Sequence, residues 1–279
     1  MKPKIAFLLQ TNYVTRLTTP VGYYAQLNGY DIVDCTAAKD LDIMDLADWS
    51  QYDLVIPYGS TQLNQMFREC ALGAYLQFEE GAYSTDTWMK KFGSLALNSA
   101  GRTMQAWEVF EHLERHPNAH VRPNFETKAL LARVFDKQTW RHHCIERNVR
   151  DDLEVFVSPV REILAEYRTW VIGGEVVEVS QYLKAGVLET ARIEEGAVHD
   201  AARRLAEVYL PDHAQTMDVA LTPEGYQLIE FNGLHGSGWY AGNVHKILDF
   251  YVQNLCQRLG LTASAAPGGK PLPAPELEP

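Results

Sequence analysis

A chain of 279 residues, 46% hydrophobic and 22% charged, is long enough for a large core or two to three small lobes and has the composition of an ordinary globular protein. Its net charge of −11 argues against a general nucleic-acid binder, which depends on neutralising phosphates, and no run of about 18 apolar residues offers a membrane span. Cys35, Cys70, Cys144 and Cys256 are scattered with no C-x-x-C pair, so reduced thiols and a cytoplasmic location are expected and structural zinc is not.

In chain order, "KIAFLL", "DIVD" and "DLVIP" are predicted strands, and "STQLNQMFRECAL" is a predicted helix with Ser60 as its N-cap. The apolar run at the start is too short for a secretory signal and is expected to form the first buried strand. Strands alternating with helices over residues 1–97 suggest a small, mostly parallel α/β domain. "NSAGRTMQAWEVFEHLERHP" spaces Met104, Trp107, Phe110 and Leu113 at helical intervals, which predicts a connecting helix. Within a second region, residues 98–261, the character changes to α+β from about residue 119. "HVRPNF" and "KALLARVF" are a predicted strand pair, "TWRHHCIERN" a short helix and "LEVFVSP" another strand. Alternating runs around Gly173-Gly174 predict a two-residue hairpin. "VHDAARRLAEVYLP" is an amphipathic helix, and "VHKILDFYVQNLCQRLG" a last helix ending near Gly260. Residues 262–279, rich in Pro, Ala and Gly, are expected to be a disordered tail.

The chemistry concentrates in "TMDVALTPEGYQLIEFNGLHGSGWY". Strand side chains alternate, so Glu230 and Asn232 share a face. A three-residue turn at Pro223-Glu224-Gly225 would set Thr222 opposite Tyr226 and Asp218 opposite Glu230, converging three oxygen donors of the kind Mg²⁺ prefers. A four-residue turn would set Asp218 across from Ile229 and disperse them. The bland alternative is an exposed strand face whose acids are merely solvated. Gly233, Gly236, Gly238 and Gly242 follow directly, in a loop whose N–H groups suit a phosphate or other anion. His112 and His116, four apart on a helix, lack a third ligand, and the adjacent His142 and His143 are expected at the surface.

These segments resemble the ATP-grasp enzymes. An Asp on one strand, Glu-x-Asn on the next and a glycine-rich loop match the C-terminal signature of that family. "EILAEYRTWVIGGEVVEVSQY" is similar to its Glu-x-Arg strand, glycine turn and return strand, and "HVRPNFETKALLARVF" to its nucleotide-gripping strand pair. Arg122 stands where the first lysine of that pair is usual, as in a phage and bacterial clade of the family, and Lys128 is the second cation. The resemblance covers residues 95–260, and it implies an ATP-grasp fold preceded by a pre-ATP-grasp-like α/β domain.

The resemblance further implies the site. Arg122 and Lys128 would contact ATP phosphates, and backbone around Val155, Phe156 and Val157 would face adenine. The following segment has no acid at the ribose position, so Glu162 or Glu166 would take it. Arg168 would meet the transferred phosphoryl group, with Lys128 as its catalytic companion. Asp218, Glu230 and Asn232 would hold Mg²⁺, and His235, Gly236, Ser237, Gly238 and Tyr240 would lie near the second substrate. The implied activity is an ATP- and Mg²⁺-dependent ligase that joins a small-molecule or peptide carboxylate to an amine through an acyl phosphate. The alternatives are an ATP-grasp phosphotransferase acting on a hydroxyl and a catalytically silent nucleotide-binding module. A homodimer is compatible with each.

Overall fold

The computed structural model describes residues 2–36, 41–76, 81–124, 130 and 132–261. The expected tail, residues 262–279, lies outside them. The chain divides into two compact units, one of Met1–Tyr75 with Val252–Pro279 and one of Leu76–Tyr251.

The first unit has three parallel strands, β1 (Ile5–Gln10), β2 (Asp31–Cys35) and β3 (Leu54–Tyr58), in the order β2-β1-β3. All of β1 and β3 is buried, as expected of strands covered on both faces. Helix α1 (Thr15–Leu27) follows β1 and was not foreseen. Its Pro20 and three threonines mask a helical spacing of Val21, Tyr24 and Ala25, all buried, with Tyr24 edge-on to Phe7. Helix α2 (Thr61–Glu69) starts as predicted, with Ser60 Oγ accepting from the Leu63 N–H.

The second unit opens with α3 (Thr85–Phe92), also unforeseen. Its Trp88, Met89 and Phe92 share a core with Ala96, Leu228 and Phe231, and the Leu97 N–H donates to the Leu228 carbonyl. This packing joins residues 85–97 to the unit that begins at Leu76. The expected connecting helix is instead β4 (Arg102–Gln105) followed by α4 (Glu108–Arg115). Met104 fits a helical period, yet it sits on a strand paired to Val155.

Strands β5 (Ala119–Pro123), β6 (Arg133–Phe135) and β7 (Glu154–Ser158) join β4 in an antiparallel sheet of order β4-β7-β5-β6. Helix α5 (Lys137–Arg147), capped by Asp136, packs with α4 on one face. His143 is buried against Phe135 and Trp140 there, contrary to the expected surface position, while His142 is exposed.

The larger sheet contains β8 (Ala165–Ile172), β9 (Glu175–Lys184), β10 (Val187–Ile193), β11 (Ala214–Thr222) and β12 (Gly225–Gly233), in the order β10-β9-β8-β11-β12. The Gly173-Gly174 hairpin forms as predicted, with both glycines at positive φ, 58° and 87°. Helix α6 (Ala197–Val208) buries Ala202 and Leu205 against Val171, Met217 and Val219 on one face of this sheet. The other face carries the polar residues. The last helix, α7 (Val244–Arg258), buries Ile247, Leu248, Tyr251, Val252, Leu255 and Cys256 along one stripe, and Gly260 follows at φ 69°.

Candidate active site

One row of paired residues crosses three strands. Arg168 on β8 stands opposite Asp218 on β11, which stands opposite Glu230 on β12. The opposition of the two acids does not arise from a three-residue turn. Thr222 pairs with Gly225 across a two-residue turn, which would by itself set Asp218 against Ile229. The ladder then slips between Asp218 and Val219, leaving Ile229 as an extra residue and bringing Glu230 into line.

The Ile229 carbonyl is used at once. Arg122, on β5 of the other sheet, donates to it from Nη1 at 3.1 Å and to Glu230 Oε2 from Nη2 at 2.8 Å. Arg168 forks onto Asp218, Nε to Oδ1 at 2.9 Å and Nη2 to Oδ2 at 2.7 Å. Asn232 Nδ2 donates to Glu230 Oε1 at 3.0 Å. Four carboxylate oxygens thus have four donors. Asp218 is 2% exposed, whereas the Glu230 side chain retains 28%.

Burial and pairing pull the two acids in different directions. Burial pushes the Asp218 carboxyl above the usual carboxylate range, with Arg168 acting against it. Burial also acts to raise Glu230, but Arg122, Asn232 and Arg168 outweigh it and hold that carboxyl below the range. For Arg168, burial opposes the charge and Asp218 more than offsets it, so the guanidinium stays charged.

A second extra residue shapes the neighbouring edge. Between β8 and β9, Glu166 pairs with Leu183 and Tyr167 with Gln181, so Tyr182 is unpaired in the ladder. Its hydroxyl donates to Glu166 Oε2 at 2.5 Å, and its ring stacks on Tyr240 with centroids 4.8 Å apart. The Arg168 guanidinium lies 5.1 Å from the Tyr240 ring centre. Burial raises the Glu166 carboxyl; Tyr182 counters this, and Asp218 and Glu230 add to it.

The glycine loop is fastened rather than loose. Ser237 Oγ donates to the Gly233 carbonyl at 2.6 Å, His235 Nε2 lies 2.7 Å from the Tyr251 hydroxyl, and both side chains are buried. Gly236 closes a short 3₁₀ turn, and the Gly238 carbonyl lies 3.5 Å from Arg168 Nη1. The Ala241 N–H donates to Ser180 Oγ and the Asn243 N–H to Glu178, so β9 holds the far end of the loop. Among the five residues expected at the second substrate, Tyr240 presents an exposed side chain, 43%, and does so from a left-handed φ of 45°. Trp239 is buried against Trp170.

The remaining expectations fall as follows. Val155, Phe156 and Val157 lie within β7, which has ladder partners on both sides, so their main chain is engaged in the sheet. Beyond β7, Pro159 and Val160 are exposed residues outside the sheet. Glu162 is exposed, and Glu166 lies two residues from Arg168 on β8. Lys128 lies outside the described residues. His112 and His116 stack on each other with ring centres 4.5 Å apart. Glu178, Ser180 and Tyr182 were missed, although their alternation along "EVSQY" matches that of Glu166 and Arg168 on the adjoining strand.

Two carboxylates and an amide are a hard oxygen set. Among the described residues no group of three or more His, Cys, Asp or Glu forms a metal cage, so a cation here would be completed by waters and phosphate oxygens, the habit of Mg²⁺. Arg122 Nε is buried and has no hydrogen-bond partner among the described residues, a vacant donor that an anion would satisfy. The residues present fit a metal-bound polyphosphate. No helix among the described residues is long and apolar enough to cross a membrane.

The fold has known counterparts. D-cycloserine synthetase DcsG shares 11% identity over 91% of this chain and 99% of its own, with a TM-score of 0.61. D-alanine–D-alanine ligase from Bacillus anthracis shares 13% over 93% and 99%, at 0.64. ATP-grasp ligase PsnB, in complex with a minimal precursor, shares 11% over 91% and 100%, at 0.55. Such identities establish the fold alone. No curated protein matches the sequence. The model of the ATP-grasp domain, R2K clade family 2, matches residues 100–250, more than half of the chain. With the Arg168–Asp218–Glu230 row, the Arg122 bridge and this match all in agreement, the chain belongs to the ATP-grasp family, R2K clade family 2.

Proposed function

We propose that this protein is an ATP- and Mg²⁺-dependent ligase that joins a carboxylate to an amine through an acyl phosphate. The observation that carries the reading is the Arg168–Asp218–Glu230 row with Arg122 bridging to it from the smaller sheet. Phosphoryl transfer asks a protein mainly for positioned charge, and this row supplies both signs within one hydrogen-bonded network. Mg²⁺, held by Asp218, Glu230 and Asn232, would neutralise phosphate charge.

Arg122 has a planar fork for the phosphates and an Nε with no partner among the described residues, and Lys128 is assigned to the same group. Arg168 binds the phosphoryl group in flight and then the acyl phosphate, where two parallel N–H donors fit the phosphate better than a point charge. Glu166 takes the ribose, braced by Tyr182, and the main chain from Val155, Phe156 and Val157 into the exposed stretch after Ser158 takes the base. Tyr240 walls the acceptor side, while Gly236, Gly238, His235 and Ser237 shape the loop behind it. The amine lone pair attacks the acyl carbon, the C–N bond forms, and inorganic phosphate leaves with the C–O bond pair and takes up the proton that the amine nitrogen releases. The phosphotransferase alternative would consume ATP with no amine present.

Calorimetric titration with a non-hydrolysable ATP analogue, with and without Mg²⁺, tests the reading on the wild type and Glu230→Gln. Binding that Mg²⁺ strengthens in the wild type alone is expected. A wild type that binds no analogue under either condition refutes the assignment.

A further inference from the structure

Arg122 and Arg168 each already have an anion, and Asp218 and Glu230 each already have a cation. Arg168 covers both oxygens of Asp218, and Arg122 with Asn232 covers both oxygens of Glu230. We propose that Arg122 and Arg168 are resident counter-ions for the metal-binding carboxylates, so that the site admits a divalent cation and a nucleoside triphosphate only as one unit. The inference rests on the nucleotide reading above and adds a rule of entry to it.

Consider the exchange from the side of the protein. For Asp218 to turn to a cation, Arg168 must let go of it, and Arg168 is 8% exposed. An arginine so placed without an anion is strongly disfavoured, because water cannot replace the lost partner. A cation arriving alone therefore meets a closed pair. A triphosphate arriving alone meets the same obstacle with the signs reversed: its oxygens can draw Arg122 and Arg168 away, but Asp218, at 2% exposure, is left uncompensated. When both arrive together, each arginine moves from a carboxylate to a phosphate oxygen and each carboxylate from an arginine to the cation. No buried charge is orphaned at any point. Arg122 Nε, without a hydrogen-bond partner among the described residues, is a donor that arginine has to spare.

The two pairs differ in how firmly they are closed. The Arg122 and Glu230 side chains retain 13% and 28% exposure, against 10% and 3% for Arg168 and Asp218. The Arg122 pair is the one that opens first, and it is the safer one to mutate, because Glu230 keeps its Asn232 hydrogen bond and some contact with solvent.

The test follows Mn²⁺, a paramagnetic stand-in for Mg²⁺, by electron paramagnetic resonance of the free ion. Wild type, Arg122→Gln and the surface control Arg203→Gln are each titrated with and without the non-hydrolysable analogue. In the wild type the analogue should raise Mn²⁺ affinity by about ten-fold or more, within the usual range for coupled sites. Arg122→Gln should bind Mn²⁺ alone more tightly than the wild type does, and the control should not. Arg168→Gln, if it folds, should gain a melting temperature that rises with Mn²⁺ alone. Equal Mn²⁺ affinity in the wild type before and after the analogue has bound overturns the proposal, and so does an Arg122→Gln protein no better than wild type for Mn²⁺ alone. Analogue binding in either of those cases leaves the ligase reading standing. Loss of analogue binding everywhere, with Arg122→Gln still gaining Mn²⁺ affinity, removes the ligase reading and keeps the counter-ion role.

Discussion

Asp218 and Glu230 face each other because Ile229, between Leu228 and Glu230, has no partner on β11. The two-residue turn alone would place Glu230 one step out of register, on the face that packs against Met217 and Phe231. One unpaired residue therefore puts the acid at the site and exposes the main-chain carbonyl that receives Arg122.

This arrangement separates the side chain of Ile229 from its backbone. Ile229→Ala should cost about 1 kcal/mol, as a partly buried truncation, and leave analogue binding nearly intact. Deletion of Ile229 should keep Asp218 opposite Glu230 in a regular ladder yet remove the carbonyl, weakening binding by roughly ten-fold, the worth of one charge-assisted hydrogen bond. Calorimetry on the two proteins, with circular dichroism to confirm folding, decides the point. Equal affinity in both would mean that the bulge serves register only.

Arg168→Lys keeps the charge and loses the fork. Asp218 then has one donor in place of two, at a site almost closed to water, and stability should fall by roughly 2 kcal/mol. ATP-dependent phosphoryl transfer should fall by about 10² or more, because a point charge cannot meet two phosphate oxygens in a plane. Denaturant unfolding and ADP release measure the two separately. A stable variant with wild-type turnover would remove Arg168 from the chemistry.

Much of this site was legible in the sequence because local chemistry and tertiary pairing agree there. Gly173-Gly174 demands the turn it forms, Ser60 caps the helix it precedes, and the acids alternate on the strands where they were expected. What was not legible lies in unpaired residues and in packing. Nothing in the composition of "QLIEF" marks Ile229 as extra, nor does "SQYLK" mark Tyr182, since a bulge is decided by the partner strand. Met104 keeps a helical period with Trp107 and Phe110, yet pairing with β7 overrides it. Four glycines do not show how firmly a loop is held, and the buried Leu234, His235, Ser237 and Trp239 between them tie this one down.

His120 lies two residues before Arg122 on β5 and opposite Ser158. Burial, helped by Arg122, brings its imidazole down to about 4, against the pull of Glu230. The unfolded chain therefore takes up a proton at this position before the folded protein does. Its contribution is complete above about pH 6.5 and is lost as the pH falls towards 4, amounting to about 2 kcal/mol for a partly buried group. His120→Gln should flatten the stability profile across that window and leave it unchanged above pH 7. Urea unfolding of both proteins between pH 4 and 8 tests this, and parallel profiles would show that His120 is not held neutral.

Gly242 explains the stiffness of the loop and gives its sharpest test. A methyl group there would lie 2.5 Å from Trp170 Cη2 and 3.0 Å from the Trp239 carbonyl. Trp170 is fully buried two residues from Arg168 and stacks on Trp239, so the indole has nowhere to retreat. The loop must move instead, taking Tyr240 off Tyr182 and away from the Arg168 guanidinium. Gly242→Ala should therefore cost roughly 1–3 kcal/mol by overpacking. Gly174→Ala, at φ 87° with open space around it, is the control, where about 1 kcal/mol of backbone strain is expected with the loop undisturbed. Hydrogen exchange at the Ala241 amide, which is bonded to Ser180 Oγ, should accelerate in the first variant and not in the second. Unchanged exchange in Gly242→Ala would mean that the loop is not fixed by its seat on Trp170.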